Sequence, residues 1–172
     1  GGLKIKPILG SVSTCFRDRL GGVTGRGDPL KAGDIISFDE SRLQNIEFVP
    51  RQFVPSFEEA LICDVMIYKD SFPEEHRSTF LSQSYVVSSE VSRMGYRLKG
   101  EKKISGEQSR YSTPMPLGAI QVPTIGQPII LMRDHQVFGG YPLLGCVTRK
   151  SLSLLAQRRP GQPIFFKQVS RE

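Results

Sequence analysis

The sequence predicts a mainly β fold, a closed or nearly closed antiparallel β-barrel with two short helices. Three observations predict it. Apolar segments of strand length recur along the chain, separated by turns rich in Gly and Pro. Gly 17 and Pro 12 together exceed their usual share of roughly 12%. Only two segments carry helix signals, both are short, and no βαβ rhythm links them to the strands.

The elements follow in chain order. Leu3, Ile5 and Leu9 suggest an edge strand carrying Pro7. Residues 21–34 hold Gly21, Gly22, Gly25, Gly27 and Gly33 and form a loop by composition. Lys31-Ala32-Gly33-Asp34 predicts a tight turn feeding a strand at Ile35-Ile36-Ser37-Phe38. The stretch 39–58, with Pro50 and Pro55, is the long connection. Leu61–Ile67 reads as a mostly buried strand. Ser71-Phe72-Pro73-Glu74 fits a capping box before a helix through Phe80 and Leu81, which places His76 on an exposed helix. Tyr85-Val86-Val87 starts the next strand, and Leu117–Val122, Pro128–Met132 and Gly145–Thr148 are also strand-like. Ser151 is expected to cap a helix from Leu152 to Arg158, with Leu152 and Leu155 on one face. Arg159-Pro160-Gly161-Gln162 then repeats the earlier turn and feeds Ile164-Phe165-Phe166.

Composition narrows the function classes. The formal net charge is +6, but the basic residues form only small knots such as Lys102-Lys103 and Arg158-Arg159. No basic stripe interleaved with aromatics is present, so nucleic acid is not an expected partner, whereas a small anionic substrate fits the excess. Cys15, Cys63 and Cys146 are scattered, as free thiols in a reducing compartment would be. No apolar run approaches a membrane span and no signal peptide is visible, so a cytoplasmic protein with no membrane partner is expected.

Familiar catalytic signatures fail on inspection. Gly22 and Gly27 have phosphate-loop spacing, but Asp28-Pro29 follows where Lys and a hydroxyl are needed. Asp134 and His135 are adjacent, and neighbours on a strand face opposite sides, so they form no dyad. The informative stretches are Ser92–Leu98 and Pro116–Pro142, where polar residues and glycines interrupt apolar strands.

These stretches carry a resemblance. Together with Leu9–Thr14 and Leu30–Asp34, the blocks Ser92-Arg93-Met94-Gly95-Tyr96-Arg97-Leu98, Pro116–Pro123, Gly126–Leu131 and Gly139-Gly140-Tyr141-Pro142 occur in one order. In them the chain resembles the C-terminal part of the allophanate hydrolase subunit 2 family, also known as the biotin-dependent carboxyltransferase-like or 5-oxoprolinase C-type family. The resemblance implies a cyclophilin-like barrel, with residues 1–172 as a single carboxyltransferase-type domain whose N-terminal part is missing. It implies an allophanate hydrolase subunit 1-type partner, and for a 5-oxoprolinase a third subunit. The implied activity is ATP-dependent opening of a cyclic amide, or carboxyl transfer from carboxybiotin to urea, as in urea carboxylase-related enzymes. No Met-flanked lysine is present to carry biotin, so no cofactor is expected on this chain, and ATP or carboxybiotin would come from partner subunits. Two departures stand out: Thr124-Ile125 where the family has Pro-Asp, and His135 where Arg is common. They leave open a non-catalytic regulatory binding module.

The candidate site combines these blocks. Arg93 is the expected fork for a substrate carboxylate, and Gln121 is a further expected substrate-binding residue. Backbone N–H at Gly126 and the Gln127 amide are expected to face a developing oxyanion. Asp134 is the expected proton-transfer group, and Tyr141 a wall with a hydroxyl. Gly139 and Gly140 shape the backbone. The other outcome for Arg93 and Asp134 is an ion pair tying two strands.

Overall fold

The computed structural model describes residues 14–15, 18–22, 24–37, 49–54, 59–107 and 111–170. The chain separates into two compact units, Gly1–Val54 and Pro55–Glu172. The expected edge strand at Leu3–Leu9 and most of the long connection lie outside the described residues.

In the first unit, β1 (Thr14–Cys15) pairs antiparallel with β2 (Leu20–Gly21). The Gly-rich stretch closes on itself, with Gly27 N–H donating to the Gly21 carbonyl at 2.9 Å. The turn at Lys31–Asp34 forms as expected, with Asp34 N–H donating to the Lys31 carbonyl at 3.1 Å. Among the described residues no strand follows it: residues 35–37 join no ladder and Ile35 is 89% exposed, while Phe38 lies outside them. Apolar character and a good turn did not suffice, because a strand also needs a neighbour to bond.

The second unit holds the barrel. Its strands are β3 (Leu61–Ile67), β4 (Tyr85–Val91) and β5 (Gly95–Gly100). After β6 (Thr113–Pro114) come β7 (Ala119–Gln121), β8 (Ile129–Leu131) and then β9 (Phe138–Gly139). Next are β10 (Leu143–Val147) and β11 (Pro163–Gln168). The closed order is β10-β3-β11-β4-β5-β8-β7, while β6 and β9 form a separate two-stranded ribbon. The barrel is antiparallel as predicted, except that β3 and β11 run parallel.

Period-two alternation fills the interior. Cys63 and Val65, Tyr85 and Val87, Ile120 and Val122, and Ile164 and Phe166 all point inward and are buried. Phe80 stacks on Phe166 at 4.4 Å between ring centroids, and Tyr85 meets Phe166 edge-on at 5.6 Å. Each such side chain contributes about 1.5–3 kcal/mol by leaving water.

Phe80 comes from α1 (Glu74–Ser82), which lies where the sequence placed a helix. Its expected capping box does not form. Pro73 is the cap residue and no side chain caps the helix. Ser71 instead ends a 3-10 turn, and Glu74 and Glu75 favour the helix start through its dipole. His76 is half-buried rather than exposed. The second helix, α2 (Arg149–Leu155), begins earlier than expected. Thr148 is its cap, accepting from Ser151 N–H at 3.4 Å. Ser151 is buried inside the helix, where its hydroxyl accepts from Asp64 N–H at 2.9 Å and ties α2 to β3. Leu152 and Leu155 are buried as expected.

Candidate functional site

The outer face of the barrel carries an ordered row of side chains. In β7, β8 and β5 the inward residues are Ile120, Ile130 and Leu98, so Gln121, Ile129 and Arg97 face outward. Register aligns them: Leu143 pairs with Gln121, Gln121 with Ile129, and Ile129 with Arg97. At about 4.8 Å per strand, the Gln121 and Arg97 backbones stand about 10 Å apart with Ile129 between them.

This row floors a cleft of about 450 Å³. Gly95 and Arg97 of β5, Ile129 and Leu131 of β8, and Gln121 of β7 line it. Glu90, Ser92 and Met94 form one side, and Gln136 and Tyr141 the other.

Gln121 is the unusual group. It is 2% exposed, among the apolar residues Met115, Ala119 and Leu131. Its Oε1 accepts from Gln136 Nε2 at 3.0 Å, while its Nε2 is buried without a hydrogen-bond partner. An unfilled buried amide donor costs about 1–3 kcal/mol. Gly139 packs directly on this amide: a Cβ there would collide with Gln121 Nε2 and stand 3.2 Å from Met115 Cγ. Glycine is needed at 139 for this close approach.

Arg97 meets Glu90 through Nε at 2.9 Å, with side chains 48% and 69% exposed. A surface pair of this kind contributes about 0.2–1 kcal/mol. The pairing arises from a bulge. Between Val87↔Leu98 and Val91↔Tyr96, three residues of β4 oppose Arg97 alone, and the third is Glu90. Ser88 Oγ steadies the bulge by accepting from Glu90 N–H at 2.9 Å.

The predicted residues divide between this cleft and other places. Gln121 and Tyr141 line it, and Gly139 abuts it. Gly140 is exposed beside Tyr141. Arg93 and Asp134 come together, but on each other. Arg93 donates from Nε to Asp134 Oδ2 at 2.7 Å and from a terminal nitrogen to Oδ1 at 3.0 Å. Asp134 N–H also donates to the Arg93 carbonyl at 2.7 Å. This clamp joins the β4–β5 turn to the segment after β8, as the ion-pair alternative anticipated. Arg93 borders a separate cleft of about 310 Å³ with Tyr96 and Arg133.

Gln127 and Gly126 also differ from expectation. Gln127 Oε1 accepts from Gly100 N–H at 2.7 Å and its Nε2 donates to the Gly100 carbonyl at 3.1 Å. Gly126 N–H donates to the Pro123 carbonyl at 2.9 Å. Both predicted oxyanion donors are therefore engaged in holding the loop. Gln127 lines a smaller cleft of about 100 Å³ with Lys99 and Ile125. Asp134 and His135 form no dyad, since His135 Nδ1 lies 2.6 Å from the Gln136 carbonyl, to which it donates.

Sequence reasoning missed Arg97, Glu90 and Gln136. Arg97 had a usable signal, because its neighbour Leu98 is a core residue and parity sends Arg97 outward. Glu90 depends on a bulge that no residue type announces. Burial pushes the Tyr96 hydroxyl up from its ordinary value, and that hydroxyl donates to the Ala156 carbonyl at 3.1 Å. Among the described residues no group of three His, Cys, Asp or Glu side chains is placed to hold a metal ion. No helix among them is long and apolar enough to cross a membrane.

The model of a family described as carboxyltransferase domain, subdomain A and B, matches residues 1–168. The chain is 36% identical to the C-type component of 5-oxoprolinase from Escherichia coli, covering 100% of this chain and 55% of that protein. It is 28% identical to urea amidolyase of Saccharomyces cerevisiae, covering 100% of this chain and 10% of that protein. The solved urea carboxylase of Kluyveromyces lactis shares the fold at a TM-score of 0.81 and 24% identity, covering 99% of this chain and 17% of that one. The chain spans about half the length of the curated 5-oxoprolinase components it matches.

Proposed function

The chain belongs to the carboxyltransferase domain, subdomain A and B, family, and from that premise we propose that it is part of a multi-subunit amide-processing enzyme. ATP-dependent 5-oxoprolinase is the first reading, and a urea carboxylase-related carboxyltransferase the other member of the same class. Both units are read as parts of one carboxyltransferase-type domain, since the family match runs across both. The partners are an allophanate hydrolase subunit 1-type protein and, for the oxoprolinase, a third subunit, with ATP or carboxybiotin supplied by them. Ile62 pairs with Phe165 on the barrel's outer surface, and their 60% and 41% exposure supports an interface with such a partner.

One observation carries this reading onto the molecule. The cleft sets a buried, unfilled amide donor at Gln121 on the same face as the Arg97 guanidinium, with an apolar floor between. A small cyclic amide bearing a carboxylate needs those groups: a donor for its carbonyl and a cation for its carboxylate. Tyr141 supplies a wall with a phenol. The test is to co-express the chain with its companion subunits and measure 5-oxoproline-dependent ATP hydrolysis. Turnover that requires this chain is expected; none from the full complex overturns the oxoprolinase reading.

A non-catalytic regulatory binding module is the second reading, favoured by the clamp on Asp134. Asp134→Asn separates the two. Lost turnover at an unchanged thermal midpoint returns Asp134 to the chemistry. Lower stability with full turnover per folded molecule leaves it architectural.

A further inference from the structure

Gln121 makes half of an interaction. A primary amide presents a donor and an acceptor side by side on one edge. Here the acceptor is filled by Gln136 and the donor is empty. A partner filling both must offer an N–H and a carbonyl on one edge of its own. A trans secondary amide cannot, because its N–H and C=O point in opposite directions. A lactam, a urea or a primary amide can.

We propose that Gln121 is the specificity-determining residue for a cis-amide edge, and that Gln136 holds its acceptor until such a ligand arrives. The ligand carbonyl accepts from Gln121 Nε2, and the ligand N–H donates to Oε1 in place of Gln136. Gln121 Nε2 lies under Gly139, so entry lifts the segment from Gln136 to Gly140. That segment includes the two-residue strand β9, with Val137 and Phe138 exposed at 62% and 59%. A carboxylate on the ligand takes Arg97, displacing Glu90 from a weak surface pairing. The ligand class is a small lactam acid, or a urea-type compound without the second anchor. This rests on the amide-processing reading and names the group that recognises its substrate.

The test is an NMR titration of the full chain with three probes: 5-oxoproline, its N-methyl derivative, and the corresponding γ-lactone acid. All keep the carboxylate and the carbonyl; the second and third lack the N–H. The side-chain amide signal of Gln121 should shift with 5-oxoproline, and the other two should bind about tenfold more weakly. Gln121→Met should erase that preference. If this buried variant does not fold, Gln136→Ala takes its place and should tighten 5-oxoproline binding by removing the competitor. Equal binding of the three probes overturns the proposal, as does an unchanged affinity in Gln136→Ala. Turnover by the assembled complex without this discrimination sinks the cis-amide role alone. Discrimination without turnover supports that role and sinks the oxoprolinase reading instead.

Discussion

Two turns in this molecule are built alike and lead to different structures. In Lys31–Asp34 and Arg159–Gln162 the fourth residue's N–H donates to the first residue's carbonyl, at 3.1 and 3.2 Å. The fourth side chain then caps the first residue's N–H: Asp34 Oδ2 at 2.7 Å, Gln162 Oε1 at 2.8 Å. The third residue is a left-handed glycine in both, at φ 95° and 89°, as a type II turn requires. After the second turn, β11 enters the barrel and Ile164 and Phe166 are buried. After the first, Ile35 stands in solvent. The turn is decided by four residues; the strand is decided by what lies beside it. β11 has β3 on one side and β4 on the other, so its backbone groups have partners waiting.

The largest expected contrast comes from truncating the residues each turn delivers. Phe166→Ala should cost about 3–5 kcal/mol in denaturant unfolding, because it empties the stack on Phe80. Ile35→Ala should change stability by no more than about 0.5 kcal/mol. Equal effects would break the comparison.

Cys63 lies opposite Phe166 in the β3–β11 ladder, and burial pushes its thiol from near 9 up to about 12. The fold therefore favours the neutral thiol. That contribution is complete below about pH 9 and is lost as pH rises toward 12. Burial also pushes Tyr85 up, which adds to the same decline. The thermal midpoint should fall across this window, and less steeply in Cys63→Ala. A flat profile in the parent protein would contradict the burial argument.

Changes inside the turns should be smaller and matched. A Cβ at Gly33 or Gly161 meets nothing within 4 Å, so alanine there introduces backbone strain alone. Each should cost about 1 kcal/mol. Gly161→Ala is read in the barrel's unfolding midpoint, and Gly33→Ala in faster exchange of the Asp34 amide. Removing the capping side chains, Asp34→Ala and Gln162→Ala, should cost about 0.5–1 kcal/mol each. A large effect in one turn alone would show that the two are not locally equivalent.

The same division explains what could be read in advance. Leu61–Ile67 and Tyr85–Val87 were legible as strands because their apolar residues reflect burial directly. The two caps were not: α1 starts at Pro73 with no side-chain cap, and at α2 backbone direction selects between two hydroxyls. Thr148 caps α2 while Ser151 turns inward to Asp64. In the cleft, Gln121, Gly139 and Tyr141 were legible as a block of sequence. That Arg97 rather than Arg93 lines this cleft was not, because it depends on which residues of β5 face the core and on a bulge in β4. Arg93 has the chemistry of a substrate fork, but Asp134 takes it.

The parallel seam has a consequence for the order of events in synthesis. β11 is the last of the barrel strands to be made, yet it lies between β3 and β4, the first two. Those two cannot pair with each other without closing the slot that β11 fills. The wall must stay open until about 100 further residues, from Leu61 to Ile164, have been added. Because β3 and β11 run side by side in one direction, the barrel is entered at one rim and left at the other. Gln168 lies opposite Val65, so a tether joining it back to Leu61 would have to run about 14 Å along the outside, about four extended residues.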